Sequence, residues 1–287
     1  GYRIYYLTGG TVNLDHSIET SYFDSGNTET ITNYFYNYDK HYQLSKTKRT
    51  HSNGDVILNE TIYPQDKVSG LTAAEQSLVN SHRFTPIESY SFKDIDSDNI
   101  RDRSEVLSYQ KTEYINDNNS GITLPSIIKS LKGVASANNA IQDIIVYHQY
   151  DNKGNPMEVS KKDGTHIVYI WGYNKTQPIA KIENATLSDI PSAIISEIES
   201  ASNQDIDVTT EDSLRVSLDK LRNHNFCPLL SDAQVTTFTY NPLVGVTSIT
   251  DPRGQTIYYE YDDFNRLEFI KDADGNLLNE HKYNYKN

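Results

Sequence analysis

The chain has 287 residues, enough for a sizeable core whether it forms one elongated unit or two compact domains. Its formal net charge is −13 with no basic stripe, which excludes nucleic acid and anionic membrane surfaces as partners. Hydrophobic residues make up 36% of the chain, yet 22 tyrosines supply apolar area with a polar tip, which excludes a disordered chain and suits half-buried sheet faces.

The single cysteine, Cys227, rules out an intrachain disulfide framework and reads as a small buried apolar residue beside Pro228. No apolar run approaches the roughly 18 residues needed to cross a bilayer, so membrane insertion is not expected. The chain begins at Gly1 and stops at Tyr285-Lys286-Asn287, just after an apparent strand. Both ends are therefore expected to continue into a longer polypeptide.

In chain order, Tyr38-Asp39 opens the first clear unit, YDKHYQLSKTKRTHSNGDVILNETIYP. Its turn is Asn53-Gly54-Asp55, and an Asn-Gly pair between alternating runs predicts a hairpin because both central positions must tolerate positive φ. Thr72-Ala73-Ala74-Glu75 is a capping box and predicts a short helix over 72–82, stopped before Pro86.

An acidic segment follows. Asp94, Asp96, Asp98, Asp102 and Glu105 stand at positions one, three, five, nine and twelve of a loop with the spacing of an EF-hand-type calcium site. Asn99 occupies the place usually held by Gly. The flanks Ser89–Phe92 and Val106–Tyr109 alternate like strands rather than helices. The rival reading is a solvated acidic hairpin tip with Arg101 and Arg103 as counterions.

Tyr150-Asp151 opens a second unit, YDNKGNPMEVSKKDGTHIVYIWGY, with Gly154 in its opening turn and Asp163-Gly164 in the next. From Ser188 to Phe226 the pattern becomes helical. Ile190, Ile194 and Ile198 recur at four-residue spacing, with Pro191 as an early helical residue. Leu214, Leu218 and Leu221 mark a second helix entered through Thr209-Thr210-Glu211-Asp212. This pair is expected as an insertion between two strands of the array, with a cap on an open edge as its suggested use.

Two further units close the chain. Tyr240-Asn241 leads to the turn Asp251-Pro252-Arg253-Gly254, and Tyr261-Asp262 leads to Asp272-Ala273-Asp274-Gly275-Asn276. Between them Ile257, Tyr259 and Tyr261 alternate with Thr256, Tyr258 and Glu260. The recurrence of aromatic-Asp/Asn, strand, Gly turn and strand defines an internal repeat. It predicts an all-β, elongated array of hairpins over 1–187 and 227–287, with the helical insertion at 188–226.

The phrases YDNKGNPMEV, YEYDDFNRLEFIKDADGN and YNYKN resemble YD-repeat proteins, the superfamily that includes RHS proteins. The longer stretches DGTHIVYIWGYNKTQPIAKIENAT and TTFTYNPLVGVTSITDPRGQTIYYEYDDFNRL are similar to large RHS-like proteins of Flavobacterium and related Bacteroidetes. The resemblance implies strand-turn-strand units stacked into a spiralling sheet, which in relatives can close into a shell around a cargo or toxin domain. It also implies an extracellular or outer-surface location, reached by type IX secretion. The expected partners are the remainder of the longer chain, outer-membrane export machinery and other cell-surface proteins. No RHS core motif, toxin tip or autoproteolytic aspartate motif is present in this stretch.

Nothing points to catalysis. The 8 histidines form no HExxH or other metal-ligand spacing; His148, His166 and His281 read as strand or loop residues. GxSxG, P-loop and dinucleotide-binding motifs are missing. The repeat aspartates have a structural use instead, accepting hydrogen bonds from turn amides. The chain is therefore expected to be a non-catalytic scaffold without a cofactor, calcium apart. The alternative is an adhesin that binds glycans or protein through tyrosine-rich faces such as Tyr34, Phe35, Tyr36, Tyr38 and Tyr42, or Tyr258, Tyr259 and Tyr261.

Overall fold

The computed structural model describes residues 12–132 and 141–284. Among them are sixteen strands, each pairing recorded between them being antiparallel, and three α-helices. The chain divides into two compact units. The fold is thus all-β with a small helical component.

The first unit covers residues 1–115 and 128–142. It is built on β1 (His16–Phe23), β2 (Gly26–Tyr36), β3 (Leu44–Thr50), β4 (Val56–Ile62), β5 (Glu88–Lys93) and β6 (Val106–Asn116), each paired with the next in chain order. Leu58, Phe92, Val106, Tyr109 and Leu131, the last on β7 (Thr123–Lys132), form its small core. The β4–β5 connection carries α1 (Ala73–Asn80). Thr72 Oγ1 accepts the Glu75 amide at 3.2 Å and Glu75 Oε2 accepts the Thr72 amide at 2.8 Å, so two orphan donors of the first turn are satisfied reciprocally. Leu78, fully buried, anchors the helix.

The second unit covers residues 116–127 and 143–287. Its strands are β8 (Gln142–Tyr150), β9 (Pro156–Lys161), β10 (His166–Gly172), β11 (Gln177–Glu183), β12 (Gln234–Asn241), β13 (Gly245–Thr250), β14 (Thr256–Tyr261), β15 (Leu267–Lys271) and β16 (Leu277–Glu280). Again each pairs with its successor.

The β11–β12 connection contains α2 (Ser192–Asn203) and α3 (Val208–Asp219). Ile194, Ile198, Leu214 and Leu218 are buried in one cluster with Val168, Ile170, Ile182 and Val235 of the strands. Each such side chain contributes about 1.5–3 kcal/mol by leaving water. The expected edge cap is corrected here. β11 and β12 pair directly, Ala180 opposite Thr237 and Glu183 opposite Gln234, while α2 meets β10 and α3 meets β12. The helices cover a face because their isoleucine and leucine stripes need apolar surface, which an edge of unpaired backbone groups does not offer.

The helix starts also differ from the sequence reading. Pro191 is the N-cap of α2 rather than a residue inside it. The N-cap of α3 is Asp207, whose Oδ1 accepts the Thr210 amide at 2.9 Å; a short carboxylate at that position satisfies an amide that Thr209 would leave open. Arg222, just after α3, fastens the insertion by donating to the carbonyls of Val235 and Thr250, each at 3.0 Å.

Candidate functional site

The repeat unit is itself the most developed site in the chain, and its first part is the turn. At Asp251 the carboxylate Oδ1 accepts the amides of Arg253 at 2.9 Å and Gln255 at 2.8 Å, while the Asp251 amide donates to the Gln255 carbonyl at 2.9 Å. Asp151, Asp262 and Asp272 repeat these bonds at the same offsets. The fourth residue of the turn takes a left-handed conformation: Gly254 has φ +80°, and Asn265 fills the equivalent place with φ 59°. Gly154 and Gly275 stand at the same offset from their aspartates. Gly54 and Gly164 belong to turns that begin at His51 and Lys161, where Asn53 and Asp163 supply the side-chain acceptor instead. Asp39 is exposed, and the loop after Tyr38 closes through the Asn37 amide, which donates to the Gln43 carbonyl at 3.1 Å.

The second part was not visible in the sequence. In the second unit, Tyr150, Trp171, Tyr240 and Tyr261 stand at or near the ends of β8, β10, β12 and β14. They face Pro156, Pro178, Val246 and Leu267 of the following strands. Beside each pair the following strand carries a bulge, with Met157, Ile179, Thr247 and Glu268 as the extra residues. A bulge disturbs the ladder, and the carbonyl beside it is then bonded by the next aromatic. Trp171 Nε1 donates to Pro156 O at 2.8 Å, Tyr240 Oη to Pro178 O at 2.9 Å, Tyr261 Oη to Val246 O at 2.9 Å and Tyr283 Oη to Leu267 O at 3.0 Å. Tyr150 Oη joins at the start, donating to Pro125 O at 2.6 Å.

Each aromatic therefore opposes one bulge and bonds the carbonyl left by the previous one. The first unit contains the same link: Tyr36 opposes Leu44 next to a bulge, and Tyr63 Oη donates to Leu44 O at 3.3 Å.

Gly245 makes room for this relay, and Gly154 makes room for its turn against Ile122. A Cβ on Gly245 would lie 2.5 Å from the Tyr261 hydroxyl, and one on Gly154 would lie 2.7 Å from Ile122 Cδ1. Burial pushes the Tyr240 hydroxyl pKa up to about 12, so it remains a donor at any physiological pH. Tyr173 connects the relay to the insertion. Its hydroxyl donates to Asp205 Oδ2 at 2.7 Å and accepts the Tyr240 amide at 2.8 Å.

The acidic segment lies between β5 and β6, as the alternating flanks indicated. Carboxylate oxygens of Asp94, Asp96 and Asp98 lie within 4.8 Å of one another. Glu105 is buried, and its Oε1 accepts the Ile95 amide at 2.6 Å. Asp102 is exposed outside this group and serves as the N-cap of a short 3₁₀ turn. Arg101 does not neutralise the cluster: it pairs with Glu60 at 2.6 Å and stacks 3.5 Å over the Tyr90 ring. The side chain of Arg103 lies outside those described.

Strand pairing also assembles a group that sequence spacing could not reveal. His148, Glu158 and His166, on β8, β9 and β10, bring ligand atoms within 4.8 Å of one another. Their contacts are internal: His166 Nδ1 meets Glu158 Oε1 at 2.7 Å, and His148 Nε2 meets Ser160 Oγ at 2.8 Å. In the first unit Phe35, Tyr36, Tyr38, Asp39, Lys46 and Glu60 help line an open groove of about 710 Å³, with Phe35 and Tyr38 about half exposed.

The family model for the RHS Repeat matches residues 244–277. This window holds Val246, Gly254, Tyr261, Leu267 and Gly275, which are one complete link of the relay with its turns. No curated protein matches the chain in sequence.

Among solved structures, the chain is similar to the Photorhabdus luminescens Tc holotoxin pore carrying a TccC3 mutation, with 10% identity and a TM-score of 0.39 over 92% of this chain and 12% of that one. It is also similar to TcdB2-TccC3 without its hypervariable C-terminal region, with 9% identity and a TM-score of 0.40 over 93% of this chain and 12% of that one. A third is TcdB2-TccC3-Cdc42, with 10% identity and a TM-score of 0.38 over 85% of this chain and 15% of that one. The chain thus spans about an eighth of the first of these proteins.

Proposed function

We propose that this chain is a non-catalytic, structural and presenting segment of a large exported YD-repeat protein. The observation that carries the reading is the relay, in which the polar atoms of Tyr63, Tyr150, Trp171, Tyr240, Tyr261 and Tyr283 are each spent on a main-chain carbonyl, whereas Tyr38 stands outside it. Such groups hold hairpins together and are not free to act on a substrate. The RHS Repeat match over one link supports the same reading. Display at the outer surface, passage by type IX secretion and enclosure of a cargo extend it along the lines of the sequence resemblance.

The test is protease accessibility of the parent protein on intact cells, with a cytoplasmic protein as control. Cleavage within this segment, or its recovery from the medium, is expected. A parent protein wholly protected until cells are lysed would overturn the exported part of the reading.

The groove beside Tyr38 favours a second role as a glycan-binding adhesin, since half-exposed aromatic rings stand there beside carboxylate and ammonium groups. A glycan array with the native chain and Tyr38→Ala decides it. Binding lost in the variant supports the adhesin, and an array without signal removes it.

A further inference from the structure

We propose that the β5–β6 loop binds a calcium ion through Asp94, Asp96, Asp98 and Glu105. The sequence offers the ligand spacing, and the folded loop brings the three aspartate carboxylates to within 4.8 Å of one another. A second, independent observation comes from Glu105. This side chain is 4% exposed, and its Oε1 is fixed on the Ile95 amide, between Asp94 and Asp96. Its other oxygen, Oε2, is buried and has no hydrogen-bond partner among the described residues. A buried carboxylate oxygen without a donor is rare in folded proteins and calls for a cation or a water. Glu105 is not one of the three grouped carboxylates but closes the same loop, and the four negative charges of the loop favour the cation.

Two ammonium groups reach the same loop, but they bond Asn99 and not the four carboxylates, and the Arg101 guanidinium is turned away from them. Lys46 and Lys48 donate to the carbonyl and side-chain oxygens of Asn99, at 2.7 and 2.6 Å, and Arg101 is held by Glu60. All four ligand side chains offer oxygen, which suits a hard cation and not a transition metal. Calcium accepts an irregular shell of carboxylates, main-chain carbonyls and water, whereas magnesium demands a near-ideal octahedron and gives up its water reluctantly. Strands flank the loop in place of helices, so the ion acts as a clamp. It ties Asp94, whose amide donates to Val56 O at 3.0 Å, to Glu105, the residue directly before β6.

The test is calorimetric titration of the chelator-treated, full 287-residue chain with calcium chloride or magnesium chloride, with melting curves at each endpoint. The variants are Asp96→Asn and Glu105→Gln. Asp96 is exposed, and the amide of Asp98 that its Oδ1 accepts at 3.3 Å can still be accepted by Asn, so this variant keeps the fold. Glu105→Gln retains an oxygen for Ile95 while removing the buried charge. Saturable calcium binding with a Kd of about 10⁻⁴–10⁻³ M or tighter is expected, weaker by about tenfold or more in each variant, with magnesium far weaker and the melting point raised by calcium. Absence of saturable binding at millimolar calcium, or both variants titrating like the native chain, would overturn the assignment.

Discussion

Replacing Tyr240 by Phe removes one atom from the relay and leaves its packing intact. The ring is half-buried and stands edge-on to Tyr173 at 5.7 Å, and both features survive the substitution. What is lost is the 2.9 Å bond from the hydroxyl to Pro178 O. An intramolecular hydrogen bond contributes about 0.5–1.5 kcal/mol net, and a carbonyl left unpaired in a desolvated place costs toward about 3 kcal/mol. Burial already shifts the Tyr240 hydroxyl upward, so water replaces the bond poorly, and a loss of about 1–1.5 kcal/mol is expected.

Trp171 is the single tryptophan and lies in the same unit, so its fluorescence reports urea unfolding of the part that holds the relay. Tyr22→Phe, at an exposed position in the first unit, serves as the control and is expected to change stability by less than about 0.5 kcal/mol. If Tyr240→Phe unfolds at the same urea concentration as the native chain and as the control, the hydroxyl contributes nothing and the relay argument fails.

Gly245→Ala drives a methyl group into the Tyr261 hydroxyl and displaces it from Val246 O; a loss of about 1–3 kcal/mol is expected in the same urea assay. Tyr173→Phe leaves the Tyr240 amide and the Asp205 carboxylate without their shared partner, and a loss of about 1–3 kcal/mol is expected by thermal unfolding. Acid should loosen the turns. Hydrogen bonds from Arg266 and Asn276 hold the Asp262 and Asp272 carboxyls below the usual range. Since the folded value is the lower one, their stabilisation is complete above the ordinary aspartate pKa of about 3.9 and is lost as pH falls through the folded values. The urea midpoint should therefore fall with pH below about 4, and less steeply in an Asp262→Asn, Asp272→Asn double variant.

Local features carried much of the fold into the sequence. Asn53-Gly54, Asp163-Gly164 and Asp251-Pro252-Arg253-Gly254 mark turns because few residues accept the left-handed backbone there. Thr72 and Glu75 announce α1 through chemistry confined to four residues. The isoleucines and leucines of α2 and α3 show that those helices bury one face, although not which surface receives it.

The relay was illegible for a different reason. Tyr240 is 62 residues from Pro178, and their bond exists only because β11 pairs with β12. Bulges at Ile179 and Thr247 leave no compositional trace. The Tyr259–Tyr261 alternation likewise gave no sign that β15 would place the extra residue Glu268 opposite it. His148, Glu158 and His166 converge only through the pairing of three strands. The acidic loop was readable by spacing, whereas the burial of Glu105 and the diversion of Arg101 to Glu60 required the fold.

The most direct test is a cryo-electron microscopy structure of the longest expressible natural segment containing these residues. The account predicts that Tyr150, Trp171, Tyr240 and Tyr261 remain bonded to the carbonyls of Pro125, Pro156, Pro178 and Val246, and that flanking hairpins continue the same offset. A compact domain in which the hydroxyls of Tyr240 and Tyr261 turn into a solvent-filled pocket would contradict it.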